Sequence, residues 1–478
     1  MGDFPLRLPL ESAIGRSGQE AHCRLINGYP EITANDGAGK SQFAVYARPG
    51  LANFSQSAFI GTARTLVLVS ATELLAVLGN QIVTFNTAGA SSILKDLTGS
   101  DRIVPALNEN STAAQIAMVG DGGTYWNFVP STAALTTPTT GFDAPNSVAF
   151  LKGLFIFSTP SGLIFHSALN DGTSFNSLAF GYANSDPLPL VRGIADAGYY
   201  YVFGEEVFEI WQDAGTTPFA LAPLQQYMPM GLLAKHSLTK GAANGLIWVD
   251  HRGIVRYGRD GGASRISTHT VERAIEMLPD ADRPSLIGTY FVAQGHDFYA
   301  LSAPSQWTWV YDLSMGKWLE WSAYGLSRWL LNDAILFNRH WVGCDYRNGV
   351  LYRIDAEEYD DAGNEFVLEA WCPHLHAYPR SIIADRLDID IAAGEGLASG
   401  TADDTAPEIA VSYSDNGGKT FKGERTAGIG QIGDYGRLVR MNGWGRIDPK
   451  GRVWKIRASA RVLRSLIQAT VRGRVLSS

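Results

Sequence analysis

Residues 147–167 read Ser147-Val148-Ala149-Phe150-Leu151, Lys152-Gly153, Leu154-Phe155-Ile156-Phe157-Ser158, Thr159-Pro160-Ser161-Gly162 and Leu163-Ile164-Phe165-His166-Ser167. Three short runs rich in β-branched and aromatic side chains are separated by turn residues, the pattern of a strand meander. Similar runs flank Gly79-Asn80, Asp121-Gly122-Gly123, Gly204-Glu205, Arg252-Gly253, Gly295-His296 and Asn348-Gly349. Hairpin centres therefore fall near residues 80, 122, 155, 205, 252, 296 and 348, at intervals of 33 to 52 residues. Four-stranded propeller blades repeat at about 40 to 50 residues. The expected fold class is all-β, with a β-propeller-like repeat of hairpins over residues 51–360. Residues 1–50 are expected as an N-terminal arm with the first strands, and 361–478 as a C-terminal β-sandwich-like domain with basic strands. One helix is expected after Ser267-Thr268, where Val271, Ala274, Ile275 and Leu278 recur at helical spacing until Pro279.

Composition agrees with this class. Of 478 residues only 18% are charged, and 51 are glycine, which argues for many tight turns and against coiled coils, collagen or disorder. Asp3, Pro5, Arg7 and Pro9 interrupt the first ten residues, so no signal peptide is expected there. Nothing approaches the ~20 apolar residues of a membrane helix, and no membrane insertion is expected. Cys23, Cys344 and Cys372 are odd in number and widely spaced, which points to a reducing cytosol as the place of synthesis. Net charge is −8, from 39 Lys plus Arg and 47 Asp plus Glu. Residues 422–478 hold 13 of the basic and 3 of the acidic residues, so that segment is +10 and the remainder −18. Such asymmetry suits an oriented contact with an acidic neighbour or nucleic acid; a solvated basic face is the other reading.

No active site is marked. Asp36-Gly37-Ala38-Gly39-Lys40-Ser41 looks like the end of a phosphate-binding loop, but Ala34 stands where the first glycine belongs and a strand-like run follows. Cys372, His374 and His376 would share one face of an extended chain, yet Pro373 intervenes and a fourth ligand is not evident. The acidic stretch Glu357, Glu358, Asp360, Asp361 and Glu365 lacks calcium-loop spacing. The nucleophile elbow G-x-S-x-G is absent. Catalytic, cofactor and metal residues are therefore expected to be none.

Two C-terminal stretches stand out. Ser414, Asn416, Gly417, Gly418, Thr420 and Phe421 form a pattern similar to the Asp-box turn of sialidase-like propellers, with Asn416 at the acidic position. The glycines would supply positive φ, the Ser and Asn side chains would bond turn amides, and Phe421 would anchor the loop. From Trp454 to Val462, apolar residues alternate with Lys455, Arg457, Ser459 and Arg461. An extended chain would present these cations on one face, which Arg437, Arg440 and Arg446 are expected to extend. A protein neighbour is preferred to nucleic acid for that face.

Read in order, further landmarks resemble one family. They are Asn27-Gly28-Tyr29-Pro30-Glu31, Arg48-Pro49-Gly50-Leu51, the run from Gly204 to Pro218 with Val207-Phe208-Glu209-Ile210-Trp211, Gly231, Ser237, Trp248-Val249-Asp250 and Gly253. Then come Ile266-Ser267-Thr268, Val271-Glu272, Trp309-Val310-Tyr311-Asp312 with Trp318, Tyr413-Ser414-Asp415, Gly433-Asp434-Tyr435-Gly436-Arg437 and Gly445-Arg446. This series is similar to the tail hub or nozzle proteins of short-tailed bacteriophages, the packaged-DNA stabilisation family. Asp448-Pro449-Lys450-Gly451 and the loop from Ala392 to Thr405 look like departures from its pattern. The resemblance implies a virion tail subunit assembled in the bacterial host cytoplasm. It implies a homo-oligomeric ring of six below the portal and adaptor, which forms part of the DNA exit channel and retains the genome until ejection. The implied partners are the adaptor, a tailspike or fibre, a needle or plug protein, and double-stranded DNA in transit. The alternative is a glycan-binding or glycan-cleaving propeller, suggested by twelve Trp and the Asp-box-like turn.

Overall fold

The run Phe155-Ile156-Phe157 is apolar at consecutive positions because both faces of its sheet are buried. Phe155 and Phe157 pack with Ala117, Val119 and Tyr125 of the preceding sheet, while Ile156 and Ile164 pack with Tyr200, Val202 and Trp211 of the following one. Side chains alternate across a strand, so each blade divides its residues between two neighbours. The computed structural model describes residues 2–33, 41–55, 59, 61–108, 110, 113–183, 189–259 and 262–476. The loop Asp36 to Lys40 lies outside these.

Among the described residues this division recurs seven times. Six antiparallel four-stranded units span 63–96, 103–136, 147–182, 190–228, 239–265 and 287–320, and a seventh joins 331–355 to the strand Gly50–Asn53. They are called blades 1 to 7. Their first strands begin 40 to 49 residues apart, and each of the seven hairpin centres read from the sequence falls in a different blade. Seven apolar clusters fill the seven contacts between neighbouring blades. Blade 7 closes against blade 1 through Phe337, Val342 and Leu351 on Leu74, Ala76 and Phe85. The fold is the expected all-β propeller. The helix His269–Glu276 buries Val271 and Ile275, with Leu278 beyond it, in the cluster between blades 5 and 6.

The first 47 residues do not stand apart as an arm. Gly2–Leu6, Gly28–Ile32 and Phe43–Ala47 join a sheet with Ile382–Ile391, Val439–Ile447 and Ser465–Val475. His22–Ile26 enters a second sheet with Leu368–Trp371, Glu408–Ser414, Lys422–Gly428 and Val453–Ala458. That sheet continues into blade 6, where Ile26 pairs parallel with Glu320. Leu387 and Ile389 of the first sheet and Val411 and Ile456 of the second share one core with Phe291, Phe298 and Trp321 of blade 6 and Tyr352 of blade 7. The expected separation at 361 is thus bridged by both chain pairing and apolar packing.

Arg48 sits at this junction with 0% exposure. Its Nη1 and Nη2 donate to the two carboxylate oxygens of Asp361 at 2.9 and 2.6 Å. Nε donates to Asn27 Oδ1 (3.1 Å), Nη1 also to the Pro49 carbonyl (3.0 Å), and Nη2 also to the Ser322 carbonyl (3.1 Å). All five guanidinium N–H groups have acceptors. Removing one partner of a buried ion pair costs about 3–5 kcal/mol, because the remaining charge is stranded. Arg48→Ala is therefore expected to lose that amount in equilibrium urea unfolding. Arg48→Lys is expected to lose most of it, since a point charge cannot replace the fork. A loss below about 1 kcal/mol for Arg48→Ala, the level of an exposed pair, would contradict this role.

Candidate functional site

The first strands of the blades surround a cavity of about 510 Å³ on the propeller axis, and residues from all seven blades or the segments leading into them line it. Arg102, Arg192, His236, Lys240 and Asp333 are its ionisable lining residues. Each lies at the head of a first strand or just before or after it, where the chain enters a blade. Lys235 and His236, in the short helical turn Lys235–Ser237 before blade 5, reach Asp121 in a turn of blade 2. Lys235 Nζ donates to Asp121 Oδ1 at 2.6 Å, and His236 Nε2 lies 2.9 Å from Asp121 Oδ2. Blades 2 and 5 are not neighbours, so this contact spans the ring. Burial pulls His236 down to about 4, leaving a neutral imidazole that donates to Asp121. Burial alone would raise the Asp121 carboxyl, but hydrogen bonding to His236 and Lys235 holds it well below the usual carboxylate range. Burial likewise pulls Arg192 to about 10 and pushes Asp333 up.

The Ser414 to Phe421 segment is the turn between Glu408–Ser414 and Lys422–Gly428. Gly417 and Gly418 have φ of 73° and 80°. Ser414 Oγ accepts from the Gly418 amide at 2.9 Å, and Asn416 Oδ1 from the Thr420 amide at 3.0 Å. Asn416 Nδ2 donates to Thr420 Oγ1 at 2.8 Å. Phe421 packs edge-on against Trp371, with ring centroids 4.6 Å apart. The turn also abuts the N-terminal segment. A Cβ on Gly417 would stand 2.6 Å from the Gly18 carbonyl, and one on Gly418 2.6 Å from the His22 ring.

The structure divides the basic residues between two sheets. Arg440 and Arg446 project from Val439–Ile447 in the first sheet, with Arg437 in the loop before it, whereas Lys455 and Arg457 lie on Val453–Ala458 in the second. Regular strand ends at Ala458, but burial continues to alternate through Val462. Most of these cations meet acids of the same chain. Arg457 approaches Glu424 at 3.4 Å and Glu369 at 3.9 Å, and Arg461 contacts Asp404 at 2.6 Å and Asp360 at 3.5 Å. Arg437 pairs with Asp434, Arg440 with Asp388 and Arg446 with Asp448, at 3.5, 3.9 and 3.3 Å. Lys455 Nζ lies 4.5 Å from the Phe421 ring. Periodicity showed which side of each strand faces outward, but not which sheet the strand joins.

Cys372 is wholly buried, and His374 Nε2 lies 2.9 Å from the Gly18 carbonyl. Among the described residues no cluster of three or more His, Cys, Asp or Glu is placed to hold a metal ion, and no helix is long and apolar enough to cross a membrane. The three cysteines are free.

A family model described as bacteriophage P22 Gp10, beta-propeller, matches residues 27–359. The chain belongs to this phage stabilisation family. The match begins at Asn27, one of the Arg48 acceptors, and takes in all seven blades with the strand that closes the last. Members are structural components of phage tails, so this chain is of the P22 tail stabilisation type. No curated protein matches the chain. Among solved structures, a chain of the crystal structure of the mitotic checkpoint complex aligns with 10% identity over 68% of this chain and 96% of that one, with a TM-score of 0.42.

Two outcomes are expected from this geometry. Gly417→Val and Gly418→Val should each destabilise the fold, with backbone strain alone costing on the order of 1–3 kcal/mol, while the exposed Lys419→Ala should be nearly neutral; thermal unfolding measures both, and equal effects at all three positions would contradict the turn. His236 has an ordinary pKa of 6.5 when unfolded and about 4 when folded. As pH falls through that window the unfolded chain takes up the proton first, so stability should drop between about 6.5 and 4. Urea unfolding at several pH values should show a shallower drop for His236→Gln than for wild type, and parallel slopes would contradict the assignment.

Proposed function

We propose that the chain is a structural tail subunit that assembles as a ring, six copies in the family's manner, below the portal and adaptor. The ring lumen would form part of the DNA exit channel and retain packaged DNA, and its outer surface would carry spikes or fibres and meet a needle or plug. Family membership over residues 27–359 carries this reading. The axial contact between Asp121, Lys235 and His236 supports one refinement. Side chains from non-adjacent blades meet across the propeller's own axis, so DNA would pass between subunits and not through the blades.

A glycan-binding propeller would need exposed aromatic platforms. None of the twelve Trp is exposed; Trp309, Trp318 and Trp321 are core residues at 5%, 1% and 1% exposure. The Asp-box-like turn packs against Gly18 and His22, which fits a structural purpose.

A basic contact surface is part of the proposal, and the basic residues differ in how free they are to serve it. Arg461 bonds the carboxylate of Asp404, which in turn accepts from the Thr401 amide at 2.9 Å to cap a short helix. Charge reversal there would disturb the subunit itself. Arg440 and Arg446 are more exposed and pair loosely with Asp388 and Asp448, contacts worth about 0–1 kcal/mol. Arg440→Glu with Arg446→Glu is therefore expected to leave the unfolding midpoint within error and to reduce incorporation into tails, followed by electron microscopy of assembled particles. Wild-type incorporation should fall as salt rises. Normal incorporation of the double variant would remove this face from the interface, and tight duplex binding with a steep salt slope would assign it to DNA instead.

A further inference from the structure

The axial cavity holds an imbalance of charge that the tail assignment does not use. Arg102 precedes the first strand of blade 2 and lines the cavity. Its Nε is buried without a partner, and among the described residues its side chain makes no hydrogen bond or ion pair. Arg192, on the first strand of blade 4, lines the same cavity. Its Nη1 donates to the carbonyls of Lys235 and Leu238 at 2.9 and 3.0 Å, while its Nε is buried and unpartnered. The two guanidinium groups repel each other, and burial compounds this by drawing Arg192 down to about 10.

Neither nearby acid answers them. Asp121 is occupied by Lys235 and His236. Asp333 also lines the cavity and feels both arginines, yet it makes no ion pair with either among the described residues; its Oδ1 accepts from the Ala334 amide at 2.9 Å. Buried polar groups are ordinarily hydrogen-bonded, and an unmet guanidinium N–H in a lined cavity calls for an acceptor. Guanidinium presents paired donors that match two oxygens of one anion, a geometry shared by carboxylate and phosphate. At about 510 Å³ the space far exceeds the ~30 Å³ share of one water. A tetrahedral oxyanion fits there with water around it.

We propose that the propeller axis is a binding site for a small multivalent oxyanion of the phosphate or diphosphate class, held between Arg102 of blade 2 and Arg192 of blade 4. Such an anion would neutralise two cations that the protein leaves facing one cavity and would tie non-adjacent blades together from within. It is recognised by charge and oxygen spacing alone, independently of the tail partners.

Calorimetric titration of the full chain, exchanged into chloride buffer, with inorganic phosphate and with pyrophosphate at constant ionic strength tests this, alongside thermal unfolding in the same solutions. Saturable one-to-one binding is expected, with a rise in Tm that sodium chloride does not give. Arg102→Gln should weaken binding by about tenfold or more without lowering the Tm of the anion-free protein, because it removes a half-buried cation whose Nε has no partner. Asp333→Asn, which leaves both guanidinium groups and removes the competing carboxylate, should tighten binding; it also serves if Arg102→Gln does not fold. Absence of saturable binding for both anions would overturn the proposal. So would affinity unchanged in folded Arg102→Gln, or affinity not increased in Asp333→Asn.

Discussion

The Arg48 to Asp361 pair is the constraint on which the joined architecture depends. Arg48 lies where the chain leaves the two-sheet unit and enters the closing strand of blade 7, and Asp361 lies where it leaves that blade again. Between them, the acceptors Asn27, Pro49, Ser322 and Asp361 sample the segment before blade 1, the exit of blade 6 and the exit of blade 7. The guanidinium carbon also lies 3.9 Å from the Phe366 ring, with Arg464 at 4.3 Å from the same ring. A buried ion pair adds little net stability over an apolar substitute. Its effect here is to specify geometry: five N–H donors are satisfied together only when all these segments are in register.

From that junction, two kinds of packing follow. Around the ring, each blade buries both faces, so the propeller has seven cores of similar make and no free end once Gly50–Asn53 pairs with Leu351–Asp355. At blades 6 and 7 the core does not stop at the propeller but runs into the paired sheets beyond. A subunit built this way transmits strain between its halves instead of hinging, because close-packed interiors resist small deformations. Rigidity of that kind suits a structural component of a phage tail.

Local features were legible in the sequence and distant pairings were not. Runs such as Phe155-Ile156-Phe157 bounded by Lys152-Gly153 and Pro160-Ser161-Gly162 carry their strand and turn assignments in a few residues, and Ser414 to Phe421 carries its turn hydrogen bonds in the same way. The pairing of Gly2–Leu6 with Ser465–Val475 has no local signal, since nothing in either strand names a partner more than 450 residues away. For the same reason the basic residues looked like one face when they belong to two sheets. Arg102 and Arg192 carry no local signal, because each is a lone arginine in or just before an otherwise apolar strand. The signal that would have found them is positional: charged residues recurring near the start of first strands, at Arg102, Arg192 and Asp333, line the axial cavity once the repeat is recognised.

Retention of the packaged genome by particles assembled without this chain tests the account most directly. Heads should fill with DNA and then lose it, and purified wild-type protein added to freshly filled heads should restore retention, visible as full-length DNA recovered from sedimented particles. Particles that keep a full genome and remain infective in the absence of the chain would contradict the proposed role of a subunit that holds DNA in the tail.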